Sequence, residues 1–256
     1  MIITLQGICY DEKSSFLKGP AKAPPLIREF LYSDSSNAFT ELGFNTQTID
    51  FNDVGDFYPI EYFDIQQITK QNCSTDSKLI TLGGDHSITY PMLKAYSAVK
   101  GPFEILQIDA HGDLYHNFEG DPHSHACPFA RIMEEKLASK LIQVGGRTYT
   151  QHQYEQAEKF AVEIHEMKDY DLQKLSFSKP LYISLDKDGY APAYAPGVSQ
   201  HEPGGFTSRQ VVDIIHSIDV EIIGADIVEY NPDRDVQGIT GALAAKVLKE
   251  IIGKMV

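Results

Sequence analysis

The sequence predicts an α/β protein wound around one mainly parallel sheet of eight strands, and three observations predict it. Eight short β-type runs are spread over 256 residues. Several are nearly continuously apolar, as strands buried on both faces of a parallel sheet tend to be. Helical patterns lie between the runs, and such alternation implies βαβ crossovers rather than hairpins. The unusual polar clusters fall just after strands, where sheets of this kind bind ligands.

Taken in order, the β-type runs are Ile2–Ile8, Phe44–Ile49, Leu79–Leu82, Glu104–Ile108, Leu141–Val144, Ala161–His165, Leu181–Leu185 and Glu221–Val228. Helical patterns cover Ala23–Leu31, Pro91–Val99, Pro128–Leu137 and Ser208–Ile218. The clearest helix is the last, where Leu243, Ala244, Val247, Leu248, Ile251 and Ile252 repeat at helical spacing. Asp50–Pro59 and Tyr190–Gly205, rich in Gly, Pro and polar residues, read as loops. No internal repeat, low-complexity tract or linker divides the chain. Residues 1–256 are therefore expected to form one domain with a large core.

Composition narrows the function. The apolar share of 42% and charged share of 23% are those of a soluble globular protein. Lys plus Arg total 22 against 36 Asp plus Glu, a net charge of −14. That balance argues against nucleic acid as a partner, because phosphate binding needs concentrated positive charge. MIITLQGICY has neither a basic leader pattern nor a long apolar run, so no signal peptide and no membrane partner is expected. Three cysteines (9, 73 and 127) show no CxxC pairing and suggest a reduced, cytoplasmic protein. Cys127 lies two residues from His125 but has no evident base-and-orienter set. It is expected to be a packed thiol rather than a nucleophile.

The chemistry concentrates in Ile105–His125, ILQIDAHGDLYHNFEGDPHSH. If the strand continued, Asp109, His111 and Asp113 would point to one side. Five of the nine histidines (86, 111, 116, 123 and 125) lie in residues 86–125, which suggests a metal site. LGGDHSITYP throws His86 to a strand tip, and SLDKDG places Asp186 and Asp188 at i and i+2 with Lys187 facing the other way. Two acids on a buried strand are costly unless paired or metal-bound. Glu229 stands at the tip of the last run, in GADIVEYNPDRD. His86, Asp109, His111, Asp113, Asp186 and Asp188 make an oxygen-rich set without thiolate, suited to hard ions. Four carboxylates are too many for one catalytic ion and would balance two, holding a bridging hydroxide. These residues read as a two-metal hydrolase.

LGGDHSITYP, ILQIDAHGD and SLDKDGYAPAYAPGVSQHEPGG resemble the three signature segments of the arginase/agmatinase (ureohydrolase) family. The likeness runs from SSFLKGPAKAPPLIRE to GALAAKVLKEI, and is closest to plant-type arginases through YHNFEGDPHSHACPFARIME and GADIVEYNPDRD. It implies a three-layer α/β/α sandwich and two Mn²⁺ ions per subunit. Carried over by position, His86, Asp109, Asp113 and Asp186 hold one ion. Asp109, His111, Asp186 and Asp188 hold the other, with Asp109 and Asp186 bridging. The resemblance implies that Asp113 accepts the hydroxide's hydrogen bond, Glu229 orients the guanidinium, and His125 shuttles a proton to the leaving amine.

The expected partner is a small cationic guanidino substrate, and the family implies a homo-oligomer, a trimer or hexamer. Arginase activity, giving L-ornithine and urea from L-arginine, is the first expectation. An agmatinase, another guanidino-acid hydrolase and a non-catalytic metal-binding homologue are the alternatives. The chain departs from the family pattern at Lys187, at Ala191 and across Gly120–His123.

Overall fold

The computed structural model describes residues 2–256. Its strands are β1 (Ile2–Ile8), β2 (Phe51–Phe57), β3 (Ser77–Leu82), β4 (Glu104–Ile108), β5 (Lys140–Val144), β6 (Glu163–His165), β7 (Leu181–Asp186) and β8 (Ile222–Val228). Its longer helices are α1 (Ala23–Leu31), α2 (Asp64–Asn72), α3 (Thr89–Tyr96), α4 (Pro128–Glu134), α5 (Gln151–Phe160), α6 (Ser208–Ser217) and α7 (Ile239–Met255). All eight strands join one sheet in the order β2-β1-β3-β8-β7-β4-β5-β6. Every neighbouring pair is parallel.

Two apolar layers cover the sheet, giving the α/β/α sandwich. One face packs Ile27 of α1, Ile214 and Ile215 of α6, and Val247, Leu248 and Ile251 of α7. The other packs Ile65 of α2, Tyr90 and Leu93 of α3, Phe129 and Ile132 of α4, and Ala157 of α5. Helix ends follow local chemistry. Thr150 and Thr207 begin α5 and α6 with reciprocal capping boxes to Gln153 and Gln210. Pro128 occupies the first turn of α4, where no intrahelical N–H is lost.

The second strand differs from the sequence expectation. Phe44–Ile49 is not a strand, because Asn45 Oδ1 accepts from the Gln47 N–H and caps a short 3₁₀ turn, Thr46–Thr48. The strand instead lies at Phe51–Phe57, inside the segment expected to be a loop. FNDVGDF reads poorly as a strand because it is a half-buried edge. Its Asp53 and Asp56 are neutralised by Arg28 of α1, with Asp53 2.9–3.0 Å from Arg28 Nε. Ala161 ends α5 in the left-handed conformation, so the sixth strand begins only at Glu163.

Candidate functional site

Four central strands, adjacent in the order β3, β8, β7 and β4, end at one crevice, and each delivers part of the site. His86 opens a 3₁₀ turn after β3, and Asp109 follows β4. Asp186 is the last residue of β7, and Glu229 follows β8. The turn after β3 depends on Gly84. A Cβ there would sit 1.7 Å from the Tyr10 carbonyl oxygen, so only glycine lets the chain pass. Asp85 then caps the turn by accepting from the Ser87 N–H at 3.0 Å.

His86 is fully buried, and a chain of hydrogen bonds sets its tautomer. The Asp226 carboxylate accepts from the Ser184, Tyr182 and Thr89 hydroxyls at 2.7, 3.0 and 3.1 Å. Ser184 spends its one proton on Asp226, so its oxygen accepts from His86 Nε2–H at 2.9 Å. Nδ1 is left with a lone pair and, although buried, no hydrogen-bond partner. It faces Asp113, Asp186 and Asp109 carboxylate oxygens at 3.0, 3.1 and 3.2 Å. A lone pair ringed by three carboxylates is stable only around a cation. Burial opposes charging of the ring, but those carboxylates outweigh it and raise its proton affinity well above the ordinary histidine value. The same donor set suits a divalent ion, and His86, Asp109 and Asp186 converge closely enough to hold one.

Asp109, His111 and Asp188 form a second such group, with Asp109 common to both. His111 Nδ1 lies 3.0 Å from Asp188 and 3.6 Å from Asp109. The arrangement comes from a turn and not from strand alternation, because β4 ends at Ile108. Asp109 Oδ1 accepts from the His111 N–H at 2.7 Å, and Asp113 takes a left-handed conformation, φ 48°. Gln107 donates to Asp109 Oδ2 at 2.7 Å, while Asp188 accepts from the Ala110 N–H at 3.2 Å. Asp186 Oδ1 accepts from the Asp188 N–H at 2.7 Å. Burial works against ionising Asp109, but the neighbouring imidazoles hold it well below the usual carboxylate range.

His125 and Glu229 touch each other across the crevice, His125 Nδ1 to Glu229 Oε1 at 2.9 Å. Glu229 also accepts from the His86 backbone N–H at 2.9 Å. Burial disfavours a charged His125, but the Glu229 carboxylate outweighs it and pushes the ring up to about 9. The cleft is lined by His111, Asp113, His125, Asp186, Asp188 and Glu229, together with Ser15, Thr148, Gln153, Ser199 and Gln200.

Two histidines of the sequence cluster lie elsewhere. His123 stacks on Tyr90 and packs against Tyr62 and Phe63, and His116 sits at the surface beside His152 and Arg131. Cys127 is buried, and burial pushes its thiol up to about 12, which leaves a packing role. Lys187 turns its Nζ over the Tyr190 ring, 4.2 Å from the centroid. Sequence reasoning missed Asp226, Ser184 and Gln107. Asp226 had a signal: one carboxylate inside the apolar run IIGADIV must be hydrogen-bonded to be buried.

A parallel sheet with two imidazole–carboxylate groups at its central strand tips is the architecture of a metal-dependent hydrolase. The chain belongs to the Arginase family, whose model matches residues 2–253, a family of hydrolases acting on guanidino groups. It is similar to the mitochondrial arginase of Medicago truncatula, 41% identical over 98% of this chain and 81% of that protein. The solved structure of Medicago truncatula arginase superposes with a TM-score of 0.92 at 40% identity, covering 99% of this chain and 87% of the other. Arginase 1, mitochondrial, of Arabidopsis thaliana is 42% identical over 98% of this chain and 80% of its own. These names overturn the cytoplasmic expectation, since both relatives are mitochondrial enzymes. Unpaired thiols do not single out the cytoplasm. Among the described residues, no helix is long and apolar enough to cross a membrane.

Proposed function

We propose that the protein is a manganese-dependent arginase, hydrolysing the guanidino group of L-arginine to urea and L-ornithine. The observation that carries this reading is the buried, unpartnered Nδ1 of His86 among carboxylates, beside a second ligand group that shares Asp109. In this reading His86, Asp109, Asp113 and Asp186 hold one Mn²⁺, and Asp109, His111, Asp186 and Asp188 the other. When bound, two such ions supply Lewis acidity, lowering the pKa of water towards neutrality and offsetting the carboxylate charge.

The chain's own residues do the rest. Glu229 Oε1 is taken by His125 and the His86 N–H, which leaves Oε2 to orient a guanidinium nitrogen. Asp113 lines the cleft and accepts a hydrogen bond from the attacking group. His125, held protonated by Glu229, donates to the departing amine. The negative floor favours a cationic guanidino substrate. Residues 1–256 act as one ureohydrolase domain, and the subunits assemble as a homo-oligomer, a trimer or hexamer.

One observation favours a second reading, agmatine as substrate. Among the described residues no Lys or Arg lines the cleft, which offers an α-carboxylate neutral donors such as Ser199 and Gln200 and no fixed cationic side chain of that kind. Urea release from arginine, agmatine and guanidinobutyrate with Mn²⁺ decides the matter. Arginine is expected to give the highest kcat/KM; a preference for agmatine replaces the first reading with the second, and no urea from any of them overturns both.

A further inference from the structure

The segment before α1 reaches into the cleft. Ser15 Oγ lies 2.8 Å from His125 Nε2 and lines the same cleft as Asp113, Asp188 and Glu229. This contact is built rather than incidental. The buried Asp85 carboxylate accepts from the Lys13 N–H at 3.1 Å and the Ser14 hydroxyl at 3.2 Å. The Lys13 carbonyl accepts from the His125 N–H at 3.1 Å. Lys13 Nζ then pairs with Asp121 at 2.7 Å, lacing the same segment to the loop that carries His125. Residues 13 and 14 are thus tied both to Asp85 and to the loop of His125, which sets Ser15 against the imidazole.

The ring's two nitrogens have unequal freedom. Nδ1 donates to Glu229, an acceptor-only carboxylate, so it cannot deliver a proton to the cleft. Nε2 is the remaining exit, and Ser15 covers it. A hydroxyl accepts from the charged ring and donates to the neutral one, so this bond survives both protonation states.

We propose that the Ser15 hydroxyl is the outer link of the proton path from His125 to the leaving amine. In the step, the His125 Nε2–H bond breaks as that proton binds Ser15 Oγ. The hydroxyl's own proton passes to the nitrogen departing from the guanidinium carbon. The C–N electron pair ends in the new N–H bond, Ser15 is regenerated, and the ring is left neutral. This assignment rests on the reading of the protein as a ureohydrolase with His125 as its proton donor.

The test uses the Mn²⁺-loaded full chain and the better of its guanidino substrates. Ser15→Ala is expected to lower kcat on the order of 10- to 100-fold, the scale of one acid–base contribution, with KM little changed. Ser15→Thr restores most of the loss. In a His125→Ala background, Ser15→Ala has no further effect. Undiminished kcat in Ser15→Ala, a change in KM alone, failure of Ser15→Thr to restore, or additive losses in the double variant each overturns the proposal. Failure of the parent reading looks different, because the unmodified protein then releases no urea.

Discussion

The two halves of the ligand cluster are built differently. His86 is 1% exposed at its side chain, and its far nitrogen is tied through Ser184 to Asp226 in the interior of the sheet. His111 is 21% exposed, and its far nitrogen has only the Glu202 carboxylate, 3.9 Å away. One imidazole is oriented before any ion arrives; the other opens on the cleft. The inner half thus has the more pre-ordered donor set, since fixing a ligand's tautomer and angle beforehand lowers the cost of binding. The outer half is the more exposed and the less constrained of the two.

The largest expected effect comes from removing what the halves share. Asp109→Ala deprives both groups of a carboxylate, and turnover is expected to fall roughly a thousandfold or more with loss of both ions. Activity within tenfold of the parent, or two ions retained by elemental analysis, would break the idea of a shared ligand.

Asp226→Asn sharpens the contrast itself. It unsettles the tautomer of His86 without touching the cleft, and Mn²⁺ affinity at the inner half is expected to drop about 10- to 100-fold. Glu202→Gln, beside the outer imidazole, is expected to change affinity far less. Calorimetric Mn²⁺ titration distinguishes the two, and equal losses would refute the asymmetry.

The pH response is a smaller effect. His125 titrates near 9 in the fold, above its ordinary value of 6.5, because Glu229 outweighs its burial. Its contribution to stability is full below about 6.5 and is lost as pH rises through 9. In the proposed mechanism the same loss removes the proton donor, so kcat is expected to decline along that alkaline limb. Thermal melting from pH 6 to 10 on the parent and His125→Ala checks this. Equal pH slopes for the two proteins would count against the pair.

The smallest effect concerns Lys187, between the two acids but turned away from both halves. It is fully buried without a hydrogen-bond partner, and desolvation lowers it to about 7. Lys187→Met keeps the length and removes the buried amine. Stability is expected to rise by about 1 kcal/mol, roughly 2–4 °C in Tm, with activity nearly unchanged. A fall in Tm would show that the contact with the Tyr190 ring outweighs burial of the amine.

Much of the site could be read from sequence because the donors follow apolar runs that are unmistakable as buried strands, such as EILQI before Asp109 and LYISL before Asp186. The edge strand could not, since Asp53 and Asp56 become tolerable in a strand only once Arg28 of a distant helix neutralises them. His123 shows what sequence proximity leaves open. It belongs to the histidine cluster that suggested a metal site but was not among the six expected donors, and an aromatic pocket from α3 and the segment before α2 holds it.

By itself the sequence determined the α/β class, the buried central strands and the donor types, because these depend on local hydrophobic pattern and on residue chemistry. Only the tertiary structure decided that β3, β8, β7 and β4 lie side by side, so that residues as far apart as His86 and Glu229 meet. It alone tied His86 to Asp226, set the inner and outer halves apart, and brought Ser15 onto His125. Strand order and hydrogen-bond geometry are properties of the packed chain, and they are what turn a list of ligands into an oriented site.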